Sequence, residues 1–247
     1  MKRFLTVLFL FFLASPLAGG PGPQDPPCPT TLAACPDEGC GKKSDPHLNR
    51  RKNIRSDEQA ATLRTLTWMK KLGDPEDYEK GGTREELTAL GEGQKITVRA
   101  YLLVAKPEGA ESCNCGLTSD ADTDNHLVLV SKATVSKFPA ATTATENKKV
   151  FSAREKESIT AEFTPRVRVT HPNFTRAKMR PLINATAKKA LLVRVTGLLM
   201  FDSEHFFGKS LVRVNDWEIH PILKLEFCTT GETCKASDDA GWQSIDD

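Results

Sequence analysis

The amino-acid sequence predicts a mainly β protein centred on a closed barrel of five strands. Segments rich in β-branched and aromatic residues recur at 96–105, 126–131, 159–170, 191–201 and 211–227. In the third segment apolar and polar residues alternate, which is typical of a strand with one buried face. A helical stretch at 174–189 separates the third segment from the fourth, and Gly197 stands where a bulge or barrel corner is expected.

The order of these elements specifies the barrel further. Five strands with one helix between the third and the fourth is the order of the OB-fold, a Greek-key barrel. Residues 95–227 carry this similarity, which rests on element order and not on a motif. The fold class is therefore predicted as an OB-like barrel preceded by short helices.

Two short helices are expected before the barrel. Ser56 and Gln59 fit a capping box, and Gly73 is a C-cap candidate, so a helix is predicted over 57–72. Thr83 begins a second capping box, and the short helix that follows is expected to end at Leu90.

The N-terminus has the pattern of a secretory signal peptide: Lys2 and Arg3, an apolar run over 4–14, then small residues. The run is too short to span a bilayer, so no integral membrane span is expected in the mature chain, which is predicted to be periplasmic or extracellular. The predicted segments are a signal peptide (1–18), a flexible Cys/Pro-rich lead-in (19–55), a helical preface (56–92), the barrel (93–229) and an acidic C-terminal tail (230–247).

The charge of the mature chain does not favour nucleic acid. Removal of Lys2 and Arg3 from the 34 basic residues leaves 32, which equals the 32 acidic residues and gives a net charge of 0. Residues 132–194 hold 14 Lys and Arg but 4 acidic residues. This basic segment either pairs with acidic segments across the folded surface or forms a face for an unknown, anionic ligand.

The seven cysteines of an exported chain are expected to form disulfides, with one left over. Cys228 and Cys234 flank a turn and could close a small loop. Cys113 and Cys115 are too close in sequence to bridge each other easily, so each needs another partner. The basic stretch at 50–52 is interpreted as solvated.

Several residues that could bind a metal ion lie near two predicted loops. In OB-folds the loops between the first and second strands and between the fourth and fifth strands flank the ligand face. Carboxylate, imidazole and thiolate groups there could bind zinc or another divalent transition metal, although no standard zinc-site spacing is present. The metal candidates are Cys113, Cys115, Asp124, His126, His171, Asp202 and His205. The alternative is that the histidines cap loops and the cysteines are structural.

A second set of residues could contact a ligand on the barrel surface. Arg166 and Arg168 are expected on one side of the third strand, and Tyr101 is expected to face outward. Glu218 and His220 share the face of the fifth strand opposite Trp217 and are expected to reach the surface together.

The sequence also resembles a family of uncharacterised exported bacterial proteins with an OB-like barrel. The matching stretches are Glu111-Ser112-Cys113-Asn114-Cys115, Thr164-Pro165-Arg166-Val167-Arg168, Arg194-Val195-Thr196-Gly197, Phe201-Asp202-Ser203-Glu204-His205 and Trp217-Glu218-Ile219-His220-Pro221. This resemblance implies export and the barrel, but no activity.

Two functions remain open from the sequence. The first is an exported ligand-binding or accessory protein. The second is a metal-dependent hydrolase acting on phosphodiesters, since micrococcal-type nucleases are similar in fold and use Arg, Asp and a metal. In this second hypothesis Asp124, Arg166, Glu218 and His220 would supply charge clamps and a general base. Whether the protein is an enzyme is left open.

Overall fold

The structure is a computed structural model that describes residues 27–42, 44–206 and 211–247, so the predicted signal peptide lies outside the described residues. The strands are β1 (Thr62–Arg64), β2 (Lys95–Pro107), β3 (Asn125–Val130), β4 (Ile159–Phe163), β5 (Leu191–Phe201), β6 (Trp217–Cys228) and β7 (Trp242–Ser244). The α-helices are α1 (Pro46–Lys52), α2 (Leu66–Met69), α3 (Glu85–Ala89), α4 (Lys132–Lys137), α5 (Ala144–Glu155), α6 (Pro165–Arg168), α7 (Arg176–Ala185) and α8 (Ser203–Phe206). Single 3₁₀ turns occur at Leu32–Ala34 and Ser112–Asn114.

Strands β2 to β6 close into the predicted barrel. Strand β2 pairs with β3, β3 with β4, β4 with β6, β6 with β5, and β5 pairs back onto β2. The β4–β6 pairing is parallel and the other four are antiparallel, so the sheet is mixed. This order, with α7 between β4 and β5, confirms the predicted OB-like barrel. Strands β1 and β7 extend the sheet beside β2 and β6.

The inside of the barrel is filled by alternate residues of each strand. Phe163, Phe201 and Trp217 are fully buried in one apolar cluster, to which all five barrel strands contribute. The indole Nε1 of Trp217 donates a hydrogen bond of 2.8 Å to the carbonyl of Gly73, which satisfies its one polar group. The residues between these inward positions point to the outer face of the barrel.

The helix predicted over 57–72 is wrong. Residues 62–64 form β1, which pairs in parallel with β2, and helix α2 begins after Thr65, whose hydroxyl accepts from the backbone N–H of Trp68. Asp57 caps the N–H of Gln59 instead of starting a helix. The edge of the barrel therefore overrides the local helix signal, while the second short helix is confirmed as α3.

The third strand is shorter than predicted. Strand β4 ends at Phe163, because Thr164 is the N-cap of α6 and Pro165 occupies its first position. Arg166 and Arg168 therefore belong to a helix and not to a strand face. The last long strand is also shorter than predicted, since β6 begins at Trp217 and not at residue 211.

Three disulfides cross-link the segments that precede, connect and follow the barrel strands. They join Cys28 to Cys40, Cys35 to Cys115 and Cys228 to Cys234, and they leave Cys113 free. The small loop predicted for Cys228 and Cys234 is confirmed. The second disulfide fastens the segment before α1 to the turn that follows β2. Within the described ranges, no helix has the length and apolar character needed to cross a membrane.

Gly197 gives a direct test of the barrel geometry. The β5–β6 register shifts at this residue, and a Cβ there would lie 2.4 Å from the carbonyl oxygen of Pro221. Because that atom belongs to the paired strand, we expect Gly197→Ala to lower the free energy of unfolding by about 2–3 kcal/mol. Gly73→Ala is the matched control, since a Cβ at Gly73 meets nothing within 4 Å. Urea denaturation of both variants measures this, and equal stabilities would contradict it.

Candidate functional site

A group of charged residues is buried on the outer face of β3, β4 and β6. Glu162, Glu218 and His220 alternate with core residues of their strands, yet their exposed fractions are 6%, 1% and 1%. Register places Glu162 directly opposite His126 on the neighbouring strand. In OB-folds this face, formed by the second and third barrel strands, is the usual ligand face.

The N-terminal segment and two loops cover this face. Helix α1 places the Lys52 side chain, which is 5% exposed, among the carboxylates. The side chain of Asn49 contacts the hydroxyl of Ser112 at 3.2 Å, and Asn53 donates to the carbonyl of Cys113 at 3.0 Å. The earlier interpretation of residues 50–52 as solvated is therefore wrong for Lys52, because α1 docks on the loop after β2.

We call this covered group the acidic cleft. It includes a cavity of about 330 Å³ that opens to solvent, with Lys52, Glu111, His126, Glu162, Asp202 and His205 among its lining residues. Asp124, Cys113 and His220 are buried beside Glu111 and Glu162. Glu111 and Glu162 therefore connect the opening to the deeper groups.

His220 is held between three carboxyl groups. Its Nδ1 lies 3.0 Å from Oε1 of Glu218 and 3.4 Å from Oε2 of Glu162, while its Nε2 lies 3.3 Å from Oδ2 of Asp124. Burial alone would lower the pKa of His220, but the carboxylates of Asp124, Glu218 and Glu162 outweigh burial and raise that pKa to about 10. The surroundings thus favour a positive charge at this position.

Asp124 has one satisfied and one unsatisfied oxygen. The amide of Asn114 donates to its Oδ1 at 2.7 Å and fixes the carboxyl group. Its Oδ2 and the Nε2 of His220 have no hydrogen-bond partner of acceptable geometry, although both side chains are 0% exposed. Burial tends to raise the pKa of Asp124, but His220 and Lys52 lower it below its ordinary value. The carboxylate therefore remains ionised beneath the protein surface.

Lys52 and Glu111 form an ion pair at the wall of the cavity. The Nζ of Lys52 lies 2.6 Å from Oε1 of Glu111. Burial would lower the pKa of Lys52, but Glu111 and further acidic groups raise it well above its usual value. Burial, and next the carboxylate of Glu218, also raise the pKa of Glu162 well above that of a solvated glutamate. The cleft therefore lacks enough positive charge for its carboxylates.

Arg213 stabilises the opposite side of the cleft. Its guanidinium donates to Asp202 at 2.7 Å, to Glu218 at 3.1 Å and to the hydroxyl of Thr160 at 2.9 Å. His205 contacts the same Asp202 oxygen through its Nδ1. Burial would raise the pKa of Asp202, but His205, Lys52 and Arg213 lower it far below its ordinary value.

Among the described residues, three groups of donors in this cluster lie close enough together to be candidates for a metal site. In each group one donor atom from every residue lies within 4.8 Å of the others: Glu108, His126 and Glu162; Glu111, Cys113 and Asp124; and Asp124, Glu162 and His220. Asp124 and Glu162 each belong to two groups. The third group is completely buried.

The structure brings together seven of the twelve predicted site residues. These are Cys113, Asp124, His126, Asp202, His205, Glu218 and His220. The expectation that Glu218 and His220 reach the surface is wrong, because the N-terminal segment and the loops cover them.

The other five predicted site residues lie elsewhere. Cys115 is in a disulfide, and His171 pairs with Asp246 at 2.6 Å. Tyr101 is 2% exposed in a separate apolar cluster on the outer face, so its predicted outward exposure is wrong. Arg166 donates to the carbonyl of Cys35 at 2.8 Å, and Arg168 donates to the carbonyl of Asp120 at 3.0 Å. Both arginines fasten loops, and the basic strand face predicted from them is not formed.

Sequence reasoning missed five residues of the cleft: Lys52, Glu108, Glu111, Glu162 and Arg213. A signal existed for Glu162, which follows the strand alternation, but an outward position was interpreted as a solvated one. Lys52 had no such signal, because its place depends on how the segment 27–55 folds onto the barrel.

Comparisons with known proteins do not assign the chain to a family. No protein-family model matches the chain, and no curated protein and no solved structure shows significant similarity to it. The assignment of a function therefore depends on the geometry of the acidic cleft.

The ion-pair network predicts a large effect of removing its arginine. Arg213→Met leaves the buried carboxylates of Asp202 and Glu218 without their cation, so we expect the free energy of unfolding to fall by about 3–5 kcal/mol. Arg180→Met is the matched control, because Arg180 is exposed and has no ion pair or hydrogen bond with the residues that the structure describes; its effect should stay within about 0.5 kcal/mol. Urea denaturation at neutral pH measures both, and a neutral Arg213 variant would contradict the network.

Proposed function

We propose that this is an exported protein that binds a divalent metal ion in the acidic cleft. One observation carries the proposal: the Oδ2 of Asp124 and the Nε2 of His220 are fully buried and face each other at 3.3 Å, but neither atom makes a well-formed hydrogen bond to the described residues. Buried polar atoms almost always make hydrogen bonds, so a buried carboxylate oxygen and imidazole nitrogen that face each other without one are candidates for two ligands of one cation.

The separation of these atoms fits two ligands of one metal ion. Zinc binds imidazole nitrogen and carboxylate oxygen at about 2.0–2.2 Å, usually in tetrahedral geometry. Two ligands at those distances and that angle are about 3.4 Å apart. The observed 3.3 Å between Nε2 of His220 and Oδ2 of Asp124 agrees with this value. Glu162 completes a group of three residues with one donor atom each within 4.8 Å of the others, and its Oε2 lies 3.4 Å from the other ring nitrogen of His220, Nδ1.

The second nitrogen of His220 also has the surroundings of a metal ligand. A histidine that binds a metal usually donates its other ring N–H to a carboxylate, which orients the ring. The Nδ1 of His220 lies 3.0 Å from Oε1 of Glu218. In turn, Arg213 holds that glutamate at 3.1 Å through its other oxygen, Oε2. The ring is thus fixed with Nε2 directed to Asp124.

The balance of charge supports a divalent ion. The cleft holds six carboxyl groups, those of Glu108, Glu111, Asp124, Glu162, Asp202 and Glu218, against two side chains that are always cationic, Lys52 and Arg213, and three histidines, His126, His205 and His220. Unpaired buried carboxylates are costly, so the excess must be neutralised by protons or by a cation. A divalent ion supplies the charge at the position where the unpartnered atoms meet.

Export is supported by the disulfides and by the sequence. Six of the seven cysteines form intramolecular disulfides, which persist in oxidising compartments such as the periplasm or the extracellular space. The basic and apolar pattern of residues 2–14 is that of a signal peptide. We therefore keep the resemblance to exported bacterial proteins as part of the proposal.

Metal-dependent hydrolysis of phosphodiesters is a second candidate. It is favoured by the opening of the cleft, where His126 and His205 are partly exposed beside Lys106. Such groups could bind a phosphate or transfer a proton at a metal. Binding alone remains the preferred function, because Lys52 and Arg213 are already paired with carboxylates.

Metal binding is tested by titration calorimetry with zinc chloride on the purified mature protein. We expect one zinc ion per chain. Asp124→Asn and His220→Gln each remove a direct ligand, so each should weaken zinc binding by at least about 100-fold. Loss of a group that only supports a ligand costs roughly 10–100-fold, which sets this lower limit. Glu218→Gln should weaken binding by about 10–100-fold, since it removes the orienting carboxylate. Circular dichroism checks the fold of each variant.

His171→Gln is the matched control for this titration. His171 also faces an aspartate, at 2.6 Å from Asp246, but it lies outside the acidic cleft. Its replacement should leave zinc affinity unchanged. Wild-type protein that binds no zinc, or cleft variants that bind it as the wild type does, would contradict the proposal.

The hydrolase candidate is tested with bis(p-nitrophenyl) phosphate. If the cleft is catalytic, zinc-loaded protein should release p-nitrophenol catalytically, and His220→Gln should abolish the release whereas His171→Gln should not. The absence of turnover in protein shown to hold zinc would leave binding as the function of the cleft.

A further inference from the structure

Cys113 is the one cysteine of this chain that is not in a disulfide. The other six cysteines are bridged, whereas Cys113 is 1% exposed and free. Its Sγ belongs to a donor group with Glu111 and Asp124 in which the atoms lie within 4.8 Å of one another. Asp124 is the same residue whose unpartnered Oδ2 faces His220. The thiol is therefore a near neighbour of the proposed metal position.

The turn that carries Cys113 is held from several sides. Cys113 lies in the 3₁₀ turn Ser112–Asn114, which ends at Cys115 in the left-handed region with φ of 55°. Cys115 is fixed by its disulfide to Cys35, and the carbonyl of Cys113 accepts from Asn53. The next residue, Asn114, binds Oδ1 of Asp124. One short turn thus orients both the thiol and the carboxylate.

Among the described residues, the thiol has no strong hydrogen-bond partner. Its Sγ donates a hydrogen bond to Oε2 of Glu111 at 3.6 Å, a weak interaction for a poor donor. The sulfur therefore lies close to two carboxyl groups without a strong hydrogen bond of its own.

We propose that Cys113 is a thiolate ligand of the metal ion and makes the acidic cleft a site for zinc-like transition metals and not for calcium or magnesium. This inference rests on the metal binding proposed above. On binding, the sulfur–hydrogen bond is replaced by a sulfur–metal bond, and the proton passes to buffer; no electron is transferred. Mixed sulfur, nitrogen and oxygen donors suit zinc and cobalt, whereas calcium and magnesium take oxygen ligands.

Cobalt(II) is the spectroscopic probe for this ligand. Wild-type protein titrated with cobalt chloride should develop visible d–d absorption together with a near-ultraviolet sulfur-to-cobalt charge-transfer band. Equimolar zinc should abolish both, and a thousandfold excess of calcium or magnesium should not. Cys113→Ser should lose the charge-transfer band and bind cobalt at least tenfold more weakly, on the order expected for a disturbed metal site.

Glu162→Gln is the matched control, because it alters a donor but leaves the sulfur in place. Its cobalt complex should be weaker and should keep the charge-transfer band. Cobalt binding without that band in the wild type, or a band that persists in Cys113→Ser, would overturn the thiolate ligand while leaving metal binding intact. Absence of any zinc or cobalt binding would instead overturn the proposed function.

X-ray absorption of the zinc-loaded wild type keeps the inference testable if Cys113→Ser fails to fold. A sulfur scatterer at about 2.3 Å from zinc is expected. A shell made only of nitrogen and oxygen at about 2.0–2.1 Å would overturn the inference, because none of the other six cysteines has a free thiol.

Discussion

The burial of unbalanced charge on the outer face of β4 and β6 is the constraint on which the rest of the site depends. Glu162 and Glu218 occupy positions that would be solvated on an uncovered barrel, but here they are almost inaccessible. Each buried carboxylate needs a cation or a proton. Arg213 compensates Asp202 and Glu218, and Lys52 compensates Glu111, so Asp124 and Glu162 have only histidines as ion-pair partners: His220 for both, and His126 for Glu162. That remaining imbalance is why we assign a metal ion there.

The N-terminal segment is as much a part of the site as the barrel. Helix α1 brings Lys52 to the cleft, and the disulfide between Cys35 and Cys115 fixes the segment to the turn that carries Cys113. Arg166 strengthens the attachment by donating to Asn53 and to the carbonyl of Cys35. Without this cover the carboxylates of β4 and β6 would face water, and the unpartnered atoms would be hydrated. The segment therefore creates the low-dielectric surroundings of the proposed cation site.

The barrel could be predicted from sequence because it depends on long periodic strands and on Gly197. The two-residue alternation placed Trp217 and Ile219 inside, and therefore Glu218 and His220 outside. Their burial could not be predicted, because it comes from 27–55, a stretch with few apolar residues and no regular period. The gathering of Asp124, His126 and Asp202 beside the ligand face followed from strand order alone. The predicted helix over 57–72 failed because pairing of β1 with β2 competes with local capping.

A crystal structure of the zinc-loaded protein, with anomalous scattering recorded at the zinc edge, tests the central claim most directly. The account predicts one anomalous peak per chain, bonded to Oδ2 of Asp124 and Nε2 of His220 at about 2.0–2.2 Å. A map without a peak between these two atoms would contradict it. So would a structure in which Nε2 donates a well-formed hydrogen bond directly to Asp124, since the cleft would then be balanced by protons alone.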